Sequence, residues 1–271
     1  MTKIEILCIG NELLSGVTLN TNAFWLSKQV TQVGGLVDRV VAVRDELEEI
    51  GYAIRNCLER DPDWLITCGG LGPTYDDMTL EGISRTLGRN LVLNPYAIEM
   101  IKQSYKKRRQ VVRMNKARIK MAVIPKGSVP IINPVGNAPA VRIDVRKTKI
   151  VCLPGVPSEM KAIFRNSILS EIKQQVGKFI SEERRYRVEG VSEATISKTL
   201  TKLVESTPSD SLYLKTHPQG YTNKNVPVMN IQVVSRGSKK EAVKRVLERI
   251  SNEIISEVKK HKGKIKLKKI Q

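Results

Sequence analysis

The first 176 residues alternate between two hydrophobic periods. Apolar runs at Ile4–Ile9, interrupted by Glu5 alone, and at Trp64–Thr67 fit buried strands, and Val37–Val43 is the next strand. Between them the apolar positions recur every three to four residues. That spacing predicts helices over Asn22–Val33, with Thr21 as N-cap, and over Glu46–Arg60, whose first turn is acidic. Further helices are expected over Met78–Leu87, Asn94–Arg109 and Ser158–Val176, the last with Ser158 as N-cap. Short strands are expected around Ala122–Ile124, Ala140–Val145 and Ile150–Leu153. Such alternation predicts an α/β fold, a mostly parallel sheet covered by helices on both faces. In such sheets ligands collect at the carboxyl ends of the strands.

Beyond Gly177 the pattern changes. Tyr186–Glu189 reads as a strand, Glu193–Glu205 as a helix, Leu212–Thr216 and Val228–Ser235 as a pair of strands, and Lys239–Lys260 as a long helix with Ser238 as N-cap. The boundary falls near residues 176–181, dividing the chain into residues 1–176 and a small α+β domain at 177–271. The Lys-rich stretch from Lys259 to Lys269 reads as a solvated, frayed end, and no internal repeat is apparent.

Composition narrows the picture. With 271 residues, 41% of them hydrophobic, the chain can bury a proper core. No apolar run approaches the roughly 20 residues that cross a bilayer, and the N-terminus lacks a signal-peptide layout. Cys8, Cys57, Cys68 and Cys152 are far apart and form no CxxC pair. We expect a cytoplasmic protein in a reducing compartment, with no structural zinc and no membrane partner. The net charge of +19 is uneven: residues 1–100 hold 8 Lys/Arg against 14 Asp/Glu, residues 101–150 hold 14 against 1, and residues 151–271 hold 24 against 12. The cationic part could attract nucleotides, nucleic acid or an acidic partner. A Lys-, Glu-, Ile- and Val-rich composition also suits a thermophile, which makes part of that charge uninformative.

The run from Lys102 to Lys120 contains nine Lys and Arg and no acid. Its simplest reading is a solvated or interface surface; alternatively Arg113 and Lys116 reach substrate phosphates. Only three Phe, little aromatic interleaving and no Gly-x-x-Gly clamp in the second domain argue against nucleic acid. His217 and His261 are isolated and read as surface residues.

Four segments carry candidate chemistry. Gly69-Gly70-Leu71-Gly72-Pro73-Thr74-Tyr75-Asp76-Asp77 follows a strand and precedes a helix. Its glycines allow a tight turn that exposes backbone N–H groups to phosphate, and two carboxylates stand where a phosphate would place a divalent metal. A capping box, Thr74 to Asp77, is the equal alternative. No Lys follows the glycines, so this is not a P-loop. Gly10-Asn11-Glu12, after the first strand, can present an amide and a carboxylate, or be a plain turn. Asn133-Pro134-Val135-Gly136-Asn137-Ala138-Pro139 is a rigid loop in which Asn137 can donate and accept. Leu153-Pro154-Gly155-Val156-Pro157-Ser158-Glu159 is a strand end running into a helix, where Glu159 either lines a pocket or favours the helix dipole.

These four segments, together with Asn20-Thr21-Asn22, closely resemble the CinA family in order and spacing over most of residues 3–175. The resemblance implies a three-layer αβα fold of the molybdopterin-binding, MoaB/MogA-like kind, followed by the small α+β domain of CinA proteins. It implies a divalent-metal-dependent (Mg²⁺ or Co²⁺) hydrolase of a nucleotide diphosphate linkage such as that of ADP-ribose. The alternative is a molybdopterin-binding or adenylyl-transferring protein of the molybdenum-cofactor type, and a third class is a non-catalytic nucleotide- or RNA-binding module. By the same resemblance Asp77 and Asp76 are the catalytic candidates, with Asp77 and Glu12 as metal ligands. Gly69, Gly70, Leu71, Gly72, Thr74, Gly10, Asn11, Asn137 and Glu159 would bind substrate and phosphate. The expected partner is a nucleotide or pterin-nucleotide, and the expected assembly a homo-oligomer, a dimer. Two departures stand out. Ala140 replaces the family's common Gly after Asn-Ala-Pro, and the sequence ends at Gln271 without the amidase domain of many CinA proteins, so no nicotinamide mononucleotide deamidase activity is expected.

Overall fold

A computed structural model describes residues 2–109, 113–208 and 210–268. The chain forms two compact units, residues 1–176 and 177–271. In chain order the first contains β1 (Lys3–Ile9), α1 (Asn11–Leu14), α2 (Thr21–Gln32), β2 (Leu36–Val43), α3 (Leu47–Arg60), β3 (Trp64–Cys68), α4 (Thr79–Thr86), β4 (Leu91–Leu93), α5 (Pro95–Lys107), α6 (Lys116–Lys120), β5 (Val123–Pro125), β6 (Val129–Ile131), β7 (Ala140–Val145), β8 (Thr148–Leu153), α7 (Pro157–Ile163), a π-helical turn (Phe164–Ile168) and α8 (Leu169–Val176).

The main sheet has the order β2-β1-β3-β8-β7-β6. The first four strands are parallel, and β7 and β6 extend the edge as antiparallel pairs. Alternate residues of β1 enter opposite cores, which gives three layers. Ile4 and Ile6 pack with Leu26, Val30, Met160 and Phe164 on the α2–α7 side. Leu7 and Ile9 pack with Ile50, Ile54 and Ile83 on the α3–α4 side. Glu5 shares the parity of Leu7 and is 3% exposed. Its carboxylate accepts a bidentate pair from Arg60 at the end of α3, at 2.7 and 2.6 Å, the geometry in which a guanidinium best matches a carboxylate. All four cysteines are buried free thiols, and burial pushes Cys152 up to about 12.

The second unit contains β9 (Ile180–Glu189), α9 (Glu193–Glu205), β10 (Leu212–Tyr221), β11 (Pro227–Gly237), α10 (Lys240–Lys260) and β12 (Lys264–Lys268). Its four strands form one antiparallel sheet in the order β10-β11-β9-β12. Tyr186, Val188, Met229, Ile231 and Val233 bury one face of it against Ile196, Leu203, Leu247, Ile250 and Ile254 of the helices.

The structure corrects several local expectations. Asn20 caps α2, accepting from Ala23 N at 3.0 Å, because a cap side chain must span three residues and Thr21 is already helical. Ser158 is not a cap: α7 opens on Pro157 after Val156, a ring whose fixed φ suits the first helical position. Lys239, with no side-chain cap, precedes α10 where Ser238 was expected. The Lys-rich end is no frayed tail through Lys268, since Lys264–Lys268 pair with Arg185–Glu189 as β12; Lys269 lies outside the described residues. Ala140 is strained by nothing: it pairs with Ile131 in β7 and is absent from the positive-φ residues. No described helix is long and apolar enough to cross a membrane.

Arg60→Ala would strand a buried carboxylate, so the variant should lose about 3 kcal/mol of stability. Denaturant unfolding of the variant against the parent checks this, and Glu5→Gln/Arg60→Met should recover much of the loss.

Candidate functional site

Register makes the site. Cys8 pairs with Cys68, and Cys68 with Leu153, so β1, β3 and β8 end level. The turns that follow are tied to neighbouring strands: Gly10 N donates to Val43 O at 3.1 Å and Gly69 N to Leu153 O at 3.0 Å. These strand ends, with the loop before β7, line a cavity of about 430 Å³, a size that suits a small ligand. Gly10, Glu12, Gly69, Gly70, Leu71, Gly72, Asp76, Asp77, Asn137 and Glu159 all line it, as do Asp45, Tyr105 and Met121.

Two glycines are fixed by close approach. Gly69 has φ 112°, and a Cβ there would lie 2.1 Å from Ile9 O; Gly70 has φ 65°, and its Cβ would lie 2.2 Å from Thr79 Oγ1. Both conditions exclude other residues. Thr79 Oγ1 donates to Gly69 O at 2.8 Å and closes the turn. The backbone N–H groups of Gly70, Leu71 and Gly72 donate to no described residue, leaving three amides for an anion.

The acid pair is braced by Thr74. Its N–H and its hydroxyl donate to Asp77 Oδ2 at 2.8 and 2.6 Å, and the hydroxyl also faces Asp76 Oδ1 at 2.5 Å. This is a local turn and not the helix cap, because α4 begins at Thr79 after Met78, with no side-chain cap. Lys120 of α6 donates to Thr74 O. The Thr74 hydroxyl and the Lys120 charge hold the Asp76 carboxyl below its ordinary range.

Asp45, just after β2, accepts from Asn11 N at 2.8 Å. Burial, and then repulsion from Glu12, Asp76 and Asp77, raises its carboxyl above the ordinary range, with the Asn11 bond opposing. None of Glu12, Asp45, Asp76 and Asp77 has a basic partner at ion-pair distance among the described residues. The cavity therefore sets carboxylates without ion-pair partners beside backbone amides that have no described acceptor.

The opposite wall is organised by Asn133, which is 7% exposed. Its Nδ2 donates to Ala138 O at 2.9 Å and Glu159 Oε2 at 2.6 Å, and its Oδ1 accepts from Val135 N and Gly136 N. Asn137 Oδ1 accepts from Ser104 Oγ at 2.9 Å and Arg108 Nη1 at 3.0 Å, and Arg108 also bonds Val135 O. The Asn137 amide N–H groups are left without a described acceptor. The end of the basic helix therefore clamps this loop.

Three carboxylates lie against bare α-carbons. A Cβ on Gly10 would come within 2.5 Å of Glu12 Oε1, on Gly72 within 2.6 Å of Asp77 Oδ2, and on Gly136 within 2.0 Å of Glu159 Cδ.

Some sequence expectations need correction. Asn11 contributes its backbone N–H to Asp45 and does not line the cavity, and Thr74 acts by holding Asp76 and Asp77. Arg113 is exposed and directs its carbonyl to Arg118 Nη1. Lys116 lines a neighbouring hollow of about 340 Å³, shared with Leu71, Asp77 and Lys120. Lys116 thus stands beside the glycine turn, whereas Arg113 lines neither hollow. Sequence reasoning missed Asp45, Asn133, Arg108 and Lys120. Asp45 carried one usable signal, its position directly after a parallel strand; the others are joined to the site only by folding.

The donor set suits a divalent cation in a particular way. No three His, Cys, Asp or Glu among the described residues are grouped to hold a metal by themselves. Mg²⁺ commonly takes one or two carboxylates plus substrate phosphate and water, and Asp77 and Glu12 beside the glycine turn fit that mode.

Comparisons with known proteins show the family of the chain. Residues 5–174 match the family described as "probable molybdopterin binding domain". A protein from Metallosphaera sedula is 38% identical over 250 residues, 92% of each chain. One from Aeropyrum pernix is 40% identical over 233 residues, 86% of this chain and 85% of that one. Among solved structures, a CinA protein of unknown function from Thermoplasma acidophilum is 40% identical with a TM-score of 0.58, covering 63% of this chain and 98% of that one.

Gly136→Ala should expel the Glu159 carboxylate and break its bond to Asn133, weakening ligand binding about tenfold while the fold persists. Gly69→Ala meets a backbone carbonyl at a left-handed φ and should instead cost about 3 kcal/mol of stability. Thermal unfolding and ligand titration of the two variants, side by side, separate these outcomes.

Proposed function

Because this chain belongs to the molybdopterin-binding domain family and is a relative of CinA, we propose that its acidic cavity binds a phosphorylated pterin of the molybdopterin type and carries out adenylyl transfer to that phosphate. The observation that carries this reading is the convergence of Glu12, Asp45, Asp76 and Asp77 on a glycine turn whose amides are free. A phosphate oxygen accepts from the amides of Gly70, Leu71 and Gly72. At the other wall Glu159, an acceptor-only group, takes N–H donors of the heterocycle, and the amide N–H groups of Asn137 meet its carbonyl.

A divalent cation held by Asp77 and Glu12 would neutralise charge on the reacting phosphates. Thr74 keeps the Asp77 side chain turned to the glycines, and Lys120 holds the Thr74 carbonyl, so the carboxylate is preset before ligand arrives. Asp45 stands behind this pair, where its negative charge disfavours loss of the cation.

One observation favours a second reading, hydrolysis of a nucleotide diphosphate linkage such as that of ADP-ribose. Asp45 is a carboxylate with raised proton affinity in the cavity wall, the property of a base that activates water. The two readings differ in nucleophile, ligand phosphate or water, and share the remaining groups.

Purified protein with Mg²⁺ or Co²⁺ should convert molybdopterin and ATP to adenylylated pterin and pyrophosphate, the pterin phosphate bonding to the α-phosphorus as the α–β anhydride bond breaks, and Asp77→Ala should lower that rate at least about 100-fold. AMP released from ADP-ribose, FAD or NADH, with pterin untouched, would replace the first reading by the second. Inertness towards all of them would sink both.

Cation affinity should fall on acidification, with a midpoint above that of an ordinary Asp. The sign follows from the raised Asp45 carboxyl: as pH falls it takes up a proton, and the negative charge it sets near the Glu12 and Asp77 carboxylates is lost. Asp45→Asn should move the midpoint down and weaken binding about tenfold, as read by isothermal titration with Mg²⁺ or Co²⁺ across pH.

A further inference from the structure

The second unit leaves one face of its sheet without a covering layer. Along β10, Leu212 and Leu214 face the core, so Tyr213, Lys215 and His217 face outward, and all three are exposed. Register carries that parity across the sheet. Lys215 pairs with Gln232, which pairs with Arg185, which pairs with Lys268; His217 pairs with Asn230, then Arg187, then Lys266. Lys264 pairs with Glu189 on the same face.

That face is strongly cationic. Arg185 is matched by Glu183 and Arg187 by Glu189, but Lys215, Lys264, Lys266 and Lys268 have no carboxylate at ion-pair distance among the described residues. Lysines on an edge strand also block pairing with another sheet. Edge protection alone does not explain why β12 puts three of them in line with two arginines on β9. Nor does it explain rings among the cations: Tyr213 is 42% exposed, with the Arg236 guanidinium 5.8 Å from its centroid, and His217 lies four residues along the same strand face. Opposite His217 on β11 sits Asn230, whose Oδ1 is buried with no hydrogen-bond partner. The field is felt on Glu189, where the bond from Arg187 and the charges of Arg187, Lys264 and Lys266 hold the carboxyl below its ordinary range. Beside Lys264 the sheet runs into a hollow of about 620 Å³ lined by Lys224 and Lys262.

We propose that this open sheet face binds single-stranded nucleic acid, with Lys264, Lys266, Lys268 and Lys215 on the phosphates and Tyr213 and His217 stacking bases. Four strands about 4.8 Å apart make a platform about 14 Å wide, enough for a short single strand and too flat for a duplex groove. A polyanion supplies the missing charge. A purely charged ligand would need no rings, and an apolar peptide would need no lysines. The shortage of aromatics in the sequence is met by placing two rings on one strand face.

The test uses the full chain and fluorescein-labelled 12-nucleotide single strands, as RNA and as DNA, followed by fluorescence anisotropy. Binding should weaken with salt along a slope of about −3 in log K against log salt, as for four single-strand phosphate contacts. K264E/K266E/K268E should weaken it at least about 100-fold, and Tyr213→Ala about tenfold, with Tyr213→Phe restoring it. Reversal of Lys102, Lys106 and Lys107 should change nothing. Should the triple variant melt abnormally, the Tyr213 pair and the salt slope decide alone. Unchanged binding by the lysine variant overturns the proposal. So does binding that is independent of Tyr213 and matched by heparin, or capture by phosphatidylserine vesicles without any capture of oligonucleotide. RNA preferred over DNA, or the reverse, identifies which strand the face accepts; rejection of both overturns it.

Discussion

The site rests on one steric contact, the α-carbon of Gly69 lying against the carbonyl of Ile9. A Cβ there would be 2.1 Å from that oxygen, so only glycine lets the turn after β3 tuck beside the end of β1. The same residue donates to Leu153 O, which ties the turn to β8. With these three ends level, loops distant in sequence open into one cavity. A parallel sheet supplies this for general reasons, since all its strands end on the same side. The glycine turn makes the ends close enough to act together.

Into that space the protein places like charges. Glu12, Asp45, Asp76 and Asp77 share one cavity wall, and burial first, then the charges of the other three, raises the Asp45 carboxyl. The compensations are small and specific: the Thr74 hydroxyl between Asp76 and Asp77, the Asn11 N–H on Asp45, and Lys120 on the Thr74 carbonyl. None of them neutralises a carboxylate by direct ion pairing. By contrast, Glu5, a structural carboxylate in the same strand system, receives a bidentate guanidinium. Glu5 is held for the fold, whereas Glu12 and Asp76 are exposed, Asp45 and Asp77 half-buried, and none of the four has an ion-pair partner among the described residues.

The second unit applies a related logic with the sign reversed. Its helices cover one face of the sheet with aliphatic side chains, and β12 closes the edge of β9. The other face carries Lys215, Lys264, Lys266 and Lys268, none with a carboxylate at ion-pair distance among the described residues. Charge without a partner is costly to assemble, and in both units it lies where a ligand of opposite sign can approach.

Much of this was legible in the chain. Apolar runs at Ile4–Ile9 and Trp64–Thr67, each stopping at glycine, specify parallel strands and the side of the sheet where chemistry sits, because period and breaker act locally. The motifs around Glu12, Asp77, Asn137 and Glu159 were readable as turns bearing polar groups for the same reason. What the sequence left open was which alternative each turn obeyed. Thr74 and Asp77 spell a capping box, yet the helix begins two residues past Asp77, so the bonds between them shape a cavity and cap nothing. Asp45 offered only its place after a strand, and Arg108 and Lys120 reach Asn137 and Thr74 only after elements distant in sequence pack together. Lys264–Lys268 likewise read as a frayed basic tail until pairing with β9 turned every second lysine onto one face. Local propensity is written residue by residue; the contact between Gly69 and Ile9, the gathering of four acids and the alignment of lysines with Tyr213 depend on strand register, and only the folded chain fixes that.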